Sequence, residues 1–259
     1  MTIPVTNSHF LELPETAAEA KQYLVLASRI LALEGVCDAY GHVSVRNPEN
    51  PRHFFVPESI SPELVTVDDI MEMDFQDQVI HGRKNLKMGE SVIHASIYKA
   101  RSDVNCVCHM HPAELVAFAS TDVPLRSVYH QDITSGDGVP VFRDLPEECG
   151  MLINDLSVAD RLAAQLGNGR GILIRNHGAV TVGESVARAV YSLVMMRDNA
   201  RISFMAASLG GRVNYISPSE LVYDLKNQFS SRCIARAWKY WIRRAQGEFP
   251  EIRTLCVGF

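Results

Sequence analysis

The stretch Val104-Asn105-Cys106-Val107-Cys108-His109-Met110-His111-Pro112 constrains this chain more than any other, because it is a short apolar run closed by two histidines and a proline and reads as a buried strand. Side chains alternate faces along a strand, so His109 and His111 point one way and Cys106 and Cys108 the other. Two neutral imidazoles on one face can grip a divalent metal, and a third ligand must then come from elsewhere. Taken alone, the spacing suits equally well two polar side chains reaching solvent at a strand end.

The rest of the chain supplies a large scaffold for such a strand. With 259 residues, 47% hydrophobic and 21% charged, it can bury a full core and is read as one α/β domain over residues 1–259, with a core of about 17–210 and a helical C-terminal segment at 217–247. A net charge of −5 without a basic stripe speaks against a nucleic-acid or anionic-membrane partner. Met1 to Thr6 lacks a cationic segment followed by an apolar core, and no apolar stretch is long enough to span a bilayer, so a cytoplasmic protein is expected. The six cysteines, Cys37, Cys106, Cys108, Cys149, Cys233 and Cys256, form no disulfide framework and read as reduced thiols.

Periodicity predicts a helix from Thr16 to Val36, a strand over Gly41–Arg46, a second strand around His53–Val56, and a third over Met71–Asp74. Val79 to Lys87 is polar and read as a loop. Glu90 to Ala100 is helical and carries Glu90 and His94 at i, i+4. Pro112 opens a helix to about Phe118, Val123 to Met151 is left unassigned, and Leu156 to Leu166 is a helix ending at Gly167. Gly171–Arg175 and Ala179–Val182 are strands around the turn Asn176-His177-Gly178. Glu184 to Leu209 is a helix apolar nearly all round, which suggests burial against the domain and a second subunit. Pro218 to Gly247 is read as one helix carrying Trp238 and Trp241, which pack rather than bind a ring.

His177 tips the balance at His109 and His111, because three histidines on rigid β mounts are what an open catalytic metal site needs. Glu90 by itself could be a helix N-terminal carboxylate stabilised by the macrodipole.

At Gly41-His42-Val43-Ser44-Val45-Arg46, the loop Val56 to Ile60, Glu90 with His94 and Tyr98, Asp103 to Pro112, and Arg175-Asn176-His177-Gly178, the chain resembles the class II aldolase/adducin family. The resemblance runs from about Ala17 to Gly210. It implies a three-layer α/β/α sandwich around a central mixed, largely antiparallel sheet, and a homotetramer with sites at subunit interfaces. It also implies that His109, His111 and His177 hold a divalent metal, with Glu90 as the acid/base beside it; imidazoles with a carboxylate suit zinc first and manganese or iron next. His94 and Asn176 would support these residues.

Departures from the family pattern narrow the substrate. Members acting on sugar phosphates hold the phosphate with an Asn in the first strand, a Ser-Gly in the next loop and paired hydroxyls before the acidic residue. Here those places read His42, Ser59-Ile60 and Met88-Gly89, and a dianion loses most of its donors. Glu63 to Ile70, Gly82-Arg83-Lys84 and Leu125 to His130 look like the branch of metal-dependent decarboxylases of hydroxylated aromatic or pyridine dicarboxylates. The expected partner is thus a small-molecule acid, with His42, Ser44, Arg46, Ser59 and His130 as its contacts. Rival expectations are an aldolase of 4-hydroxy-2-oxo acids, an Fe(II) oxygenase, and a non-catalytic adducin-like module.

Overall fold

The computed structural model describes residues 13–147, 150–227 and 231–255; Met1 to Thr6, Cys149 and Cys256 lie outside them. The first helix, α1 (Ala17–Leu33), starts where Thr16 accepts the Glu19 N–H at 3.2 Å while the Glu19 carboxylate takes the Thr16 N–H at 3.3 Å. This reciprocal cap satisfies two donors that a helix start leaves unpaired.

Among the described residues eight strands build one sheet: β1 (His42–Arg46), β2 (His53–Pro57), β3 (Ile70–Asp74), β4 (Val79–His81), β5 (Cys106–Met110), β6 (Val141–Phe142), β7 (Gly171–Ile174) and β8 (Gly178–Gly183). Their order is β4-β3-β2-β1-β5-β8-β7-β6. Only β6 and β7 run parallel; every other pair is antiparallel. The sheet is therefore mixed and largely antiparallel, as the family resemblance implies.

The two faces are covered separately. Val43, Val45, Cys106, Cys108 and Met110 pack in one apolar cluster with residues of α1, α3 (Ala113–Ala119), α5 (Val186–Ser208) and α7 (Ser231–Glu248). Phe54, Val107, Ile172, Val180 and Val182 pack in another with α2 (Ser91–Ala100) and α4 (Leu156–Leu166). These are the three layers of an α/β/α sandwich. The alternation along β5 follows the expected faces: both cysteines and Met110 turn toward α1 and α5, and Val107 and His109 turn toward α2. Among the described residues Cys37, Cys106 and Cys108 are free thiols.

Two elements differ from the sequence reading. The polar stretch after Val79 contains the edge strand β4, in which Ile80 and His81 are exposed; a three-residue edge needs no apolar alternation to pair. Phe142 buries a two-residue β6 inside a stretch rich in proline and glycine. The C-terminal segment, read as one helix, is helical over α6 (Pro218–Asn227) and α7; the residues between them lie outside the described ones. Trp238 and Trp241 are buried, stacking 6.4 Å from Tyr23 and tilting 6.1 Å from Tyr191, so they do pack. No helix among the described residues is long and apolar enough to cross a membrane.

Candidate metal centre

Three neighbouring features bring the centre together on the α2 face. His109 is the fully buried penultimate residue of β5, paired with His42 of β1 on one side and Val180 of β8 on the other. His111 follows the strand end. His177 sits in the turn from β7 to β8, which closes with its N–H on the Ile174 carbonyl at 3.0 Å and puts Asn176 at φ 54°. Asparagine tolerates that left-handed backbone better than most residues. A methyl group on Gly178 would stand 2.5 Å from the Met110 carbonyl oxygen and 2.7 Å from His111 Cδ2, so β8 reaches the site only because that residue is glycine.

Glu90 occupies the N-cap position of α2 with its side chain only 12% exposed, and its Oε1 accepts the Ile153 N–H at 3.2 Å. Its Oε2 lies 3.5 Å from His109 Nε2 and its Oε1 3.5 Å from His177 Nε2. The three imidazole Nε2 atoms are 3.2, 3.2 and 3.0 Å apart. One donor atom from each of Glu90, His109, His111 and His177 falls within 4.8 Å of every other.

The chemistry of these donors fits a metal ion. His109 Nδ1 meets the Ala179 carbonyl at 3.1 Å and His177 Nδ1 meets the Met151 carbonyl at 2.5 Å. A carbonyl only accepts, so Nδ1 carries the proton in both rings and each neutral Nε2 turns a lone pair inward. Lone pairs cannot bond one another; they converge usefully only on a cation. Nitrogens at 2.0–2.1 Å around a tetrahedral zinc are separated by about 3.3 Å, close to the separations found here.

The electrostatics agree. Burial alone would raise the Glu90 carboxyl, but His109 and His177 outweigh it and hold the group well below the usual carboxylate range. Burial would lower His177, yet the Glu90 carboxylate 3.5 Å from its Nε2 favours positive charge there and raises it. Burial, then His109 and His177, push His111 down to about 3.

A hydrogen-bonded chain adjoins the centre. His42, 5.1 Å ring to ring from His109, places its Nδ1 2.6 Å from His94 Nε2. His94 Nδ1 is 2.6 Å from Ser44 Oγ, which is 2.8 Å from the Tyr98 hydroxyl. His94 is thus fully spoken for and supports His42 rather than the metal ligands themselves. Tyr98 had no role in the sequence reading, although Glu90, His94 and Tyr98 recur every four residues on one helical face. The carbonyls of Met151 and Ala179 left no signal, because any residue could supply them.

The other expected contacts are dispersed. Ser44 is sealed in the chain just described and 0% exposed. Arg46 lies four residues beyond His42, about 13 Å along the strand, and donates to the carbonyls of Val104, Pro51, Tyr98 and Arg101. Those four acceptors satisfy a buried guanidinium, so the structure ties Arg46 to neighbouring loops instead of the centre. Ser59 is exposed and gives its N–H to the Leu86 carbonyl. His130 lines an open cleft with Asn214, Tyr215 and Glu220, whose lining includes none of Glu90, His109, His111 and His177. Asn176 is exposed and acts on His177 through the backbone turn.

Sheet order, layers and a three-histidine, one-carboxylate centre together define a class II aldolase-like protein. Residues 22–204 match the model of the class II aldolase and adducin N-terminal domain, and the chain belongs to that family. It is 26% identical over 245 residues to the decarboxylase tropJ of Talaromyces stipitatus, covering 84% of this chain and 90% of that one. It is also 26% identical over 249 residues to the 3,4-dihydroxyphthalate decarboxylase of Arthrobacter keyseri, covering 89% and 96%. Among solved structures, the L-fuculose 1-phosphate aldolase of Glaciozyma antarctica superposes with a TM-score of 0.75 at 27% identity, covering 93% and 97%. Family and relatives together mark the chain as a lyase of this family.

Proposed function

We propose that this protein is a divalent-metal-dependent carbon–carbon lyase for a small non-phosphorylated hydroxy or oxo acid, and that it decarboxylates a hydroxylated aromatic or pyridine mono- or dicarboxylate. The observation that carries this reading is the convergence of His109, His111 and His177 with Glu90 on one point. The loss of phosphate donors at His42, Ser59-Ile60 and Met88-Gly89 supports an acid over a sugar phosphate, and two relatives named as decarboxylases match over most of their length. Zinc suits three imidazoles and a carboxylate best, and manganese or iron would fit the same set. A cytoplasmic homotetramer with no nucleic-acid or membrane partner completes the proposal.

Cleaving the bond to a carboxyl group leaves an electron pair on carbon. A divalent ion held by the three histidines supplies Lewis-acid stabilisation of that developing charge. Glu90, kept ionised by its neighbours, first acts as a base: it takes the substrate's hydroxyl proton as carbon dioxide leaves, then returns it to the carbon that kept the pair. Proton transfer of this kind contributes about 10²–10⁴-fold.

The test is to load the protein with zinc or manganese, supply hydroxylated aromatic and pyridine dicarboxylates, and measure carbon dioxide. Release of carbon dioxide by wild type and not by His109→Ala supports the reading. Cleavage of a 4-hydroxy-2-oxo acid to pyruvate, with no carbon dioxide from any dicarboxylate, replaces it with the aldolase reading favoured by the likeness to the fuculose phosphate enzyme. Oxygen uptake strictly dependent on Fe(II) would instead mark an oxygenase, and absence of any bound divalent ion an adducin-like module.

A further inference from the structure

The chain of four groups beside the metal centre has a direction, and the direction follows from counting protons. Its members are buried: Ser44 and His94 are 0% exposed, Tyr98 1% and His42 7%. Tyr98 packs its ring against Phe54 at 5.3 Å and Phe75 at 6.4 Å, and its hydroxyl has one partner, Ser44 Oγ.

Two polarities are open to the series. In the first, Tyr98 donates to Ser44, Ser44 donates to His94 Nδ1, and His94 Nε2–H donates to His42 Nδ1. Every proton then has an acceptor, and His42 is left with its proton on Nε2. In the second, His42 Nδ1–H donates to His94 Nε2, His94 Nδ1–H to Ser44, and Ser44 to Tyr98. The Tyr98 proton is then stranded among aromatic rings. A His94 carrying both protons strands a hydroxyl proton too, because Ser44 then accepts from His94 and the hydrogen of either Ser44 or Tyr98 is left without an acceptor. One buried, unpaired donor weighs by about tenfold or more against the arrangement that creates it.

We propose that Tyr98, Ser44 and His94 act as positioning residues that hold His42 in the Nε2–H form, so that it presents a neutral hydrogen-bond donor beside the metal centre to an anionic oxygen of the substrate. His42 Nε2 is placed for this. It takes no hydrogen-bond partner among the described residues, and His42 keeps 7% of its surface exposed. A ring locked as a donor accepts a carboxylate or phenolate oxygen and rejects an N–H at the same place, since two donors cannot pair. The identity of the acceptor as a substrate carboxylate or phenolate rests on the lyase reading; the form of the ring does not.

The experiment is ¹⁵N–¹H long-range correlation of the histidine rings in the full-length protein loaded with zinc alone, with assignment by His42→Gln and His94→Gln. The expected spectrum has His42 and His94 protonated at Nε2 and unprotonated at Nδ1, opposite to His109 and His177, whose protons sit on Nδ1. Ser44→Ala removes the acceptor–donor link and should move His42 toward an averaged signature. A His42 that is protonated at Nδ1, doubly protonated or averaged in the wild type overturns the proposal even if Ser44→Ala fails to fold. Benzoate and benzamide then probe the donor by calorimetry: benzoate should bind wild type at least about tenfold more tightly than His42→Leu, while benzamide should distinguish the two little. Equal benzoate affinity also overturns it. If the spectrum is as expected and no dicarboxylate releases carbon dioxide, the lyase reading falls and the donor assignment stands.

Discussion

His109 Nε2 and His177 Nε2 lie 3.2 Å apart while the opposite nitrogen of each ring is tied to a backbone carbonyl, Ala179 for one and Met151 for the other. Two neutral rings fixed in this way repel across the gap, and the arrangement is stabilised by whatever cation fills it. Metal analysis of the purified protein is therefore expected to find about one divalent ion per chain. His109→Ala and His177→Ala should weaken binding by more than about 100-fold, since even groups that only orient ligands cost 10–100-fold. Full metal content in both variants would show that the three nitrogens do not form the site.

Glu90 differs from the histidines in what its loss should do. Its carboxylate stands 3.5 Å from two Nε2 atoms and accepts the Ile153 N–H, an acceptor role that the amide oxygen of glutamine keeps. Glu90→Gln is expected to retain most of the metal and the fold and to lose about 10²–10⁴-fold in kcat, the share of a positioned acid/base. Parallel measurement of metal content and carbon dioxide release separates the roles. A variant that loses metal and activity in step would make Glu90 a ligand only.

Gly178 couples the β7–β8 turn to the metal strand. An added methyl group would lie 2.5 Å from the Met110 oxygen and 2.7 Å from His111 Cδ2, so backbone or imidazole must move. Gly178→Ala should lower unfolding stability by about 1–3 kcal/mol, as overpacking does, and weaken metal binding beyond that of an alanine placed elsewhere on β8. Thermal unfolding with and without zinc reads both effects. A Tm increment on adding zinc equal to that of wild type would mean that His111 is not displaced.

Much of this centre could be read before any coordinates, because its information is local. The two-residue step from His109 to His111 fixes their common face, and Asn176-His177-Gly178 marks a turn between two apolar strands. What escaped was set by distance along the fold. His42, Ser44 and Arg46 share a face by the same period of two, yet one end of β1 meets the metal ligands and the other meets the loop carbonyls of Pro51 and Val104. Only the register of β1 against β5 decides which is which. The edge strand β4 was missed because exposed Ile80 and His81 carry no alternation.

Asp132 provides a test of pH dependence outside the cluster of Glu90, His109, His111 and His177. Its side chain is fully buried, its Oδ1 accepts the N–H groups of Thr134 at 2.9 Å and Ser135 at 3.2 Å, and its Oδ2 has no partner. Burial outweighs the hydrogen bonds from Ser135 and Thr134 and pushes the carboxyl up to about 6, from an ordinary 3.8. The folded chain therefore holds this proton more tightly than the unfolded chain does. The contribution to stability is greatest below about pH 4 and is lost as the pH rises through about 6, in total by up to about 3 kcal/mol. Asp132→Asn keeps an acceptor for the two N–H groups and cannot ionise. Its stability relative to wild type should thus increase steadily between about pH 4 and pH 7 in urea unfolding at matched ionic strength. A difference that stays constant across that range would mean that Asp132 ionises no less readily in the fold than in the open chain.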